Sequence, residues 1–327
     1  MTERAEAHDA LARLAQGDLS VLHPEAIAEA PHPFATLAGP ELAAFWQDLR
    51  RALPDGERRD DLFLMGANRE DARVPGPRPS PMVACLGAYI GTFQAPFAGI
   101  LPTGRVVALT YGEAHHFEDG RLKRSWLVWD LFGLMRQAGI APQTAPLGAV
   151  GHWPAPLGGT GLRLTESPPS DSLDRVLDMH AALHAFDGQS VEDISMAHWA
   201  PDFTYWAAGP IGASRGVDGF RAHHQRPFLR AFPDRRGAGH FIRISDGPFA
   251  VTGGDVAMTH TGTYLGIPAT GRALRFRVMD FYRFDAAGLI AENWLPNDMA
   301  GLMAQMGNDP FRADSPADIA GGDATAS

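Results

Sequence analysis

The sequence predicts an α+β protein made of two similar halves, each with helices followed by a meandering sheet. Three observations carry that expectation. The chain has 327 residues, enough for two cores at about 150 residues per domain. Ala141 to Ser170 holds six prolines and five glycines in 30 residues, a composition that favours an irregular, partly extended connection. The segments on either side of it match each other in order, as a tandem duplication leaves them.

The matches are local but ordered. Gly39-Pro40-Glu41 opens LAAFWQDLRRALPD as Gly216-Val217-Asp218 opens GFRAHHQRPFLRAFPD, and Gly91-Thr92-Phe93 answers Gly262-Thr263-Tyr264. The longest match sets Glu113 to Gly139 beside Asp280 to Gly307, with one extra residue in the second turn. The expected organisation is therefore copy one over 1–140, a linker over 141–170, copy two over 171–307, and a tail over 308–327. That tail is small and acidic, with Phe311 and Ile319 its large apolar residues, so it is expected to be mobile and to carry no core.

Within copy one, Leu42, Phe45, Trp46, Leu49 and Leu53 keep helical spacing behind Pro40, and Pro54-Asp55-Gly56 stops the helix. In copy two, Asp171-Ser172 can cap a helix carrying Leu173, Val176, Leu177, Ala181 and Leu183 and ending near Gly188. A further helical turn is expected before His198 to Trp206. Turn-bounded alternating runs follow at His240 to Ser245, Val256 to Leu265, Ala273 to Phe284 and Leu289 to Leu295, with hairpin turns expected at Gly253-Gly254 and Ala287-Gly288. Helices followed by a meander imply α+β rather than a parallel α/β fold.

Composition removes several function classes. Hydrophobic residues make up 45% and charged residues 20%, an ordinary globular balance. The net charge of −10 repels phosphate, so neither nucleic acid nor an anionic membrane is expected as a partner. Lys123 is the only lysine, which leaves Schiff-base chemistry one candidate. Cys85 is the only cysteine, which excludes an intramolecular disulfide framework and a multi-cysteine zinc site. His115-His116 and His223-His224 fall on adjacent positions of a strand and of a helix, and adjacent side chains diverge, so no metal and no cofactor is expected. The charged N-terminus lacks a secretory apolar core, and a cytoplasmic protein is expected.

The C-terminal strands of both halves resemble the SnoaL-like polyketide cyclase family, within the cone-shaped superfamily that includes nuclear transport factor two, ketosteroid isomerase and scytalone dehydratase. The resemblance rests on a strand with an aromatic or basic end, a turn of the DG type, a strand of the form I-x-E-x-W, an aspartate, and a helix reading L-x-x-Q-x-G. Copy two supplies Phe281 to Phe284, Ile290, Glu292, Trp294, Asp298 and Leu302 to Gly307; copy one supplies Phe117, Asp119-Gly120, Leu122, Trp126, Asp130 and Leu134 to Gly139. The resemblance implies two tandem cone-shaped domains, each with helices on a curved, mostly antiparallel sheet, paired as an internal pseudo-dimer, with a further homodimer left open. It also implies cofactor-free ring closure of an intramolecular aldol type, with the aspartate after the last strand as general acid/base. That role carries over onto Asp298 and Asp130. The family's pocket histidine lines up instead with Asp280 and Glu113.

Strand parity places Val278, Asp280, Tyr282 and Phe284 on one face, and Val256, Met258, His260, Gly262 and Tyr264 on one face of an earlier strand. The candidate catalytic residues are Asp298, Asp280, His260, Asp130 and Glu113. The candidate substrate contacts are Tyr264, Tyr282, Trp294, Trp206, His115 and Trp126. Two readings stay open at Asp298, which is also a favoured N-cap for the helix it precedes, and at His260, which is also an ordinary core histidine. Arg221, Arg226, Arg230, Arg235 and Arg236 read as an acidic-ligand site or as a solvated helix face. The loop over 66–81 reads as lid, partner arm or inert insertion. The expected partner is a small carbonyl-containing metabolite; the rival functions are a non-catalytic binding module and an isomerase, dehydratase or hydrolase in the same cup.

Overall fold

A computed structural model of the chain describes residues 2–74, 79–140, 144–184 and 190–312. Copy one begins with α1 (Glu3–Ala15), β1 (Leu22–Glu29) and β2 (Thr36–Ala38), followed by α2 (Gly39–Ala52). Then come β3 (Glu57–Gly66), β4 (Met82–Thr92), β5 (Val106–Glu118), β6 (Arg121–Trp129) and α3 (Leu131–Gln137). Copy two repeats this plan with α4 (Ser172–His184), β7 (Trp199–Ala207), β8 (Ala213–Arg215), α5 (Gly216–Phe220) and α6 (Arg226–Ala231). It finishes with β9 (Arg236–Asp246), β10 (Phe249–Thr259), β11 (Ala273–Phe284), β12 (Ile290–Leu295) and α7 (Met299–Gln305). A π-helical turn at Arg221–Gln225 joins α5 to α6.

The two sheets have the same six-strand order, β2-β1-β6-β5-β4-β3 and β8-β7-β12-β11-β10-β9. In each, one parallel pair, β1 with β6 or β7 with β12, closes an otherwise antiparallel meander. Asp119-Gly120 takes positive φ at both turn positions, the geometry a two-residue hairpin needs to match strand twist. The turn at Ala287-Gly288 forms as its sequence implies, with Gly288 at φ +76.

Each sheet is buried on both faces. One face carries the helices of its own copy: Phe63, Cys85, Tyr111 and Trp129 in copy one, Ala250, Phe276, Tyr282 and Leu295 in copy two. The other face meets the second sheet through Leu62, Leu64, Ala84, Trp126, Phe241, Val251, Phe281 and Trp294. Trp126 stacks on Phe241 with centroids 5.2 Å apart and planes 2° from parallel. The internal pseudo-dimer therefore packs sheet against sheet, and double burial explains why β4 reads MVACLGAYIGT, an almost unbroken apolar run, rather than alternating.

Several expectations need correction. Gly253-Gly254 is no hairpin turn but an irregularity inside β10; the turn falls at Gly247-Pro248. A Cβ on Gly254 would lie 2.2 Å from the Gly239 carbonyl oxygen, and one on Gly253 would lie 2.7 Å from the Phe241 ring. Close approach, not chain reversal, demands these glycines. β10 stops at Thr259, so His260 and Tyr264 leave the strand face assigned to them. β1 was missed because Pro24 and Glu25 interrupt its apolar pattern.

Over its described residues, 144–170, the segment between the copies is irregular and is tied to both sheets. Ala149 pairs with Ala213 beside β8, Gly161 and Arg163 flank Phe63 of β3, and Trp153 is buried between the sheets. The start of the tail is not coreless, since Phe311 packs on the first core and on His32. The expected end of α4 near Gly188, part of the 66–81 loop, and the tail beyond 312 lie outside the described residues. Among the described residues, no helix is long and apolar enough to cross a membrane, and no group of three or more His, Cys, Asp or Glu could hold a metal ion.

Candidate active site

A cavity of about 480 Å³ opens in copy two between the helices and the inner face of the sheet. Its walls mix apolar residues, Met179, Trp199, Phe220, Phe228, Val256 and Leu295 among them, with polar and charged ones. The strand parity read from the sequence holds at β11, where Val278, Asp280 and Tyr282 all line the cavity.

Asp280 is the centre of its chemistry. Asn293 Nδ2 donates to its carboxylate at 3.1 Å, and Tyr282 lines the cavity two residues further along the same strand face. Among the described residues no cation pairs with it. Asp280 is partly buried at the cavity wall, and this burial raises the carboxyl to about 7 against the lowering pull of the Asn293 amide. Tyr282 accepts or donates a 3.3 Å hydrogen bond with His180 Nε2, according to the tautomer. Tyr205 and His224 line the same cavity; burial raises the Tyr205 phenol and drops His224 to about 3, so that imidazole is neutral at pH 7.

The corresponding space in copy one is filled by side chains. Glu113 stands opposite Cys85 as Asp280 stands opposite Thr252, so the two registers can be laid over each other. At positions where copy two has Gly237, His240, Val256 and Val278, copy one then has Arg58, Asp60, Tyr89 and Tyr111. The Arg58 guanidinium reaches Glu113 at 2.6 Å and Asp60 at 2.9 Å and lies over the Tyr111 ring. Tyr89, Trp129 and His115 complete the shell around Glu113 at 3.0, 2.8 and 3.2 Å. Burial alone would raise the Glu113 carboxyl, but Arg58 and His115 outweigh it and hold it at about 2. Glu113 and His115 thus form a saturated ionic core, not an acid/base pair facing a substrate. Arg124, the counterpart of Glu292 in the repeat, lies over Trp126 and reaches Glu29.

Asp298 and Asp130 are separate from the cavity. Each caps its helix, Asp298 accepting from the Gly301 N–H at 3.0 Å and Asp130 from the Gly133 N–H at 2.7 Å. The second oxygen of each accepts a backbone N–H from the other copy, His32 for Asp298 and Gly209 for Asp130, both at 3.3 Å. His32 and Gly209 occupy matching places, each three residues past the strand position paired with Trp126 or Trp294. The aspartate kept in both halves is thus half of a pseudo-symmetric clasp between them. Burial raises both carboxyls, and these N–H donors oppose the rise.

The remaining candidates sort by strand face. Trp294 and Trp126 point away from the cups into the contact between the sheets, Trp294 donating to the Pro154 carbonyl at 3.2 Å; Trp206 packs at its edge. His260 and Tyr264 are buried against Phe232 in the second core, outside the cavity lining, with His260 Nδ1 on Thr270 at 3.1 Å. Asn293, Tyr205 and His180 were missed. Parity on β12 could have found Asn293, the neighbour of Trp294 on the opposite face; the other two depend on helix and strand placement.

A cone-like α+β half with one open cup, fused to a half whose cup is filled, defines the architecture. The family model for SnoaL-like polyketide cyclases matches residues 79–138 and 176–306, and the chain belongs to that family. Solved structures similar to it include TsrD from Streptomyces laurentii, at 24% identity over 43% of this chain and 98% of that one, TM-score 0.35. IdmH from Streptomyces antibioticus matches at 24% identity over 40% and 97%, TM-score 0.33. An NTF2-like protein from Burkholderia thailandensis matches at 20% identity over 41% and 95%, TM-score 0.34. The comparison with curated proteins finds no match.

Proposed function

We propose that copy two is a cofactor-free acid/base enzyme acting on a small carbonyl-containing metabolite by aldol-type ring closure, with copy one as its scaffold. The observation that carries this reading is the Asp280 carboxyl, which lines the copy-two cavity with no cation paired to it among the described residues and accepts from the Asn293 amide. A carboxyl poised near neutrality can accept a proton and return it at the same pH. Asp280 would take the proton from carbon beside a carbonyl; the enolate would attack a second carbonyl, forming the carbon–carbon bond; the alkoxide would recover the proton from Asp280. The Tyr205 hydroxyl, which lines the cavity and has no hydrogen-bond partner among the described residues, is suited to donate to the developing enolate oxygen.

Proton abstraction can be tested without the natural substrate, by following deuterium exchange at the central carbon of ethyl benzoylacetate in D2O by NMR. The protein is expected to accelerate exchange over buffer, and Asp280→Asn to remove at least about 10²-fold of that acceleration, the usual contribution of a general base. No acceleration by the native protein, or full acceleration by Asp280→Asn, would overturn the assignment and favour the binding-module reading.

A further inference from the structure

The 66–81 loop of copy one does not stay with copy one. Past β3 the chain runs beside β9 of copy two, where the Arg69 N–H donates to the Arg243 carbonyl and the Arg243 N–H donates to Asn68 Oδ1. Asp71, 5% exposed, anchors the crossing. It accepts from the His240 N–H at 2.9 Å, from the Arg243 guanidinium, and from Arg73 through two nitrogens at 3.0 and 2.8 Å. Arg73 is thereby fixed over the start of β9, where it also donates to the Gly237 carbonyl at 3.3 Å, and it lines the copy-two cavity beside Arg235 and Arg236.

Among the described lining residues arginines outnumber the carboxylates other than Asp280, with Arg73, Arg235 and Arg236 against Asp234 and Asp255. Asp234 accepts from the Thr259 N–H and hydroxyl and keeps its charge near Arg236, while Asp255 is paired with Arg275 and Arg277 from outside the lining. Asp71 is shared between two arginines, Arg73 and Arg243, so that cluster keeps a positive excess. All this sits on a chain of net charge −10, whose overall field would turn anions away. Arg236 lies opposite Ala257 on β10 while Asp280 lies opposite Thr252. Five residues of β10 separate their registers by about 17 Å along the strand, which places them at different ends of the cavity.

We propose that the substrate is an elongated molecule with an anionic group, such as a carboxylate, at the end remote from its reacting carbon, held at a mouth that both copies build: Arg73 from copy one and Arg236 from copy two. The inference rests on the cup being a substrate site, and it gives the fusion a reason, since copy two alone lacks Arg73. Asp71 is a positioning residue, acting through Arg73.

The test compares 6-phenylhexanoate with 6-phenylhexanamide, which share length and apolar body but differ in charge, by calorimetric titration of the full chain. The native protein is expected to prefer the acid at low salt and to lose most of that preference at 0.5 M NaCl, through screening. Arg73→Gln and Arg236→Gln should each cut the preference by about twofold to fivefold, the range for exposed charge pairs, and together abolish it, with amide affinity unchanged. Arg215→Gln, in an exposed pair with Asp202 outside the cavity, should leave it intact. Equal binding of acid and amide by the native protein, or parallel loss of both ligands in the arginine variants, would overturn the proposal. Arg236 is exposed, so its variant reads the mouth even if Arg73→Gln disturbs the loop. The two readings separate: exchange without acid preference removes the mouth assignment alone, whereas acid preference without exchange keeps the mouth and removes the catalytic role of Asp280.

Discussion

Replacing Asp280 by Asn should stabilise the protein, and by an amount that grows with pH. The folded state raises this carboxyl from 3.8 to about 7 through burial. A raised acid means that the folded state binds the proton more tightly than the unfolded chain between those values. Stability is therefore full below about 3.8, falls as pH rises, and levels off above about 7. At 1.36 kcal/mol for each tenfold change in proton affinity, the native protein gives up about 4 kcal/mol in all, of which about 3 kcal/mol is lost between pH 5 and 8. An asparagine carries no charge to bury. It keeps an oxygen for the Asn293 amide but accepts from it less strongly than a carboxylate does, which returns about 1 kcal/mol of the gain. The measurement is urea unfolding of both proteins at pH 5 and pH 8, followed by tryptophan fluorescence. The asparagine variant should gain on the native protein by about 3 kcal/mol between the two pH values. A difference independent of pH would refute the reasoning, because it would mean that Asp280 is as well solvated in the cup as in the unfolded chain.

Arg58→Met should be among the most damaging single changes, costing roughly 3–5 kcal/mol, because it strands Glu113 and Asp60 as buried anions without their cation; thermal unfolding at pH 7 checks it. With a folded-state pKa held at about 2 instead of 4.5, Glu113 contributes stability that is present above about 4.5 and lost as pH falls toward 2. An acid titration should therefore show a steeper loss for the native protein than for Arg58→Met. Asp298→Ala should cost about 1–2 kcal/mol through loss of the cap and of the N–H from His32, while deuterium exchange in the copy-two cup persists; loss of exchange in a folded Asp298→Ala protein would return this aspartate to the acid/base role.

The sequence by itself determined what local spacing can carry. The duplication, the helical stripe of Leu42, Phe45, Trp46 and Leu49, the Asp119-Gly120 turn and the common face of Asp280 and Tyr282 depend on residues within a few positions of each other, where backbone geometry alone sets the relation. The family signature was legible for the same reason. What only the tertiary structure decided is which face of each strand meets a cup and which meets the other sheet. Trp126 and Trp294 obey the alternation, yet nothing near them in the chain says that an apolar face turned from the helices will be covered by a second sheet rather than left for a ligand. The same limit applied to the kept aspartates, whose second oxygens bond to His32 and Gly209, 266 and 79 residues away. An open cup is a difference between volumes contributed by distant strands. Arg58, Tyr89, Tyr111 and Trp129 close one, and Gly237 and two valines, Val256 and Val278, leave the other open, because packing is a property of the assembled surface and not of any one segment.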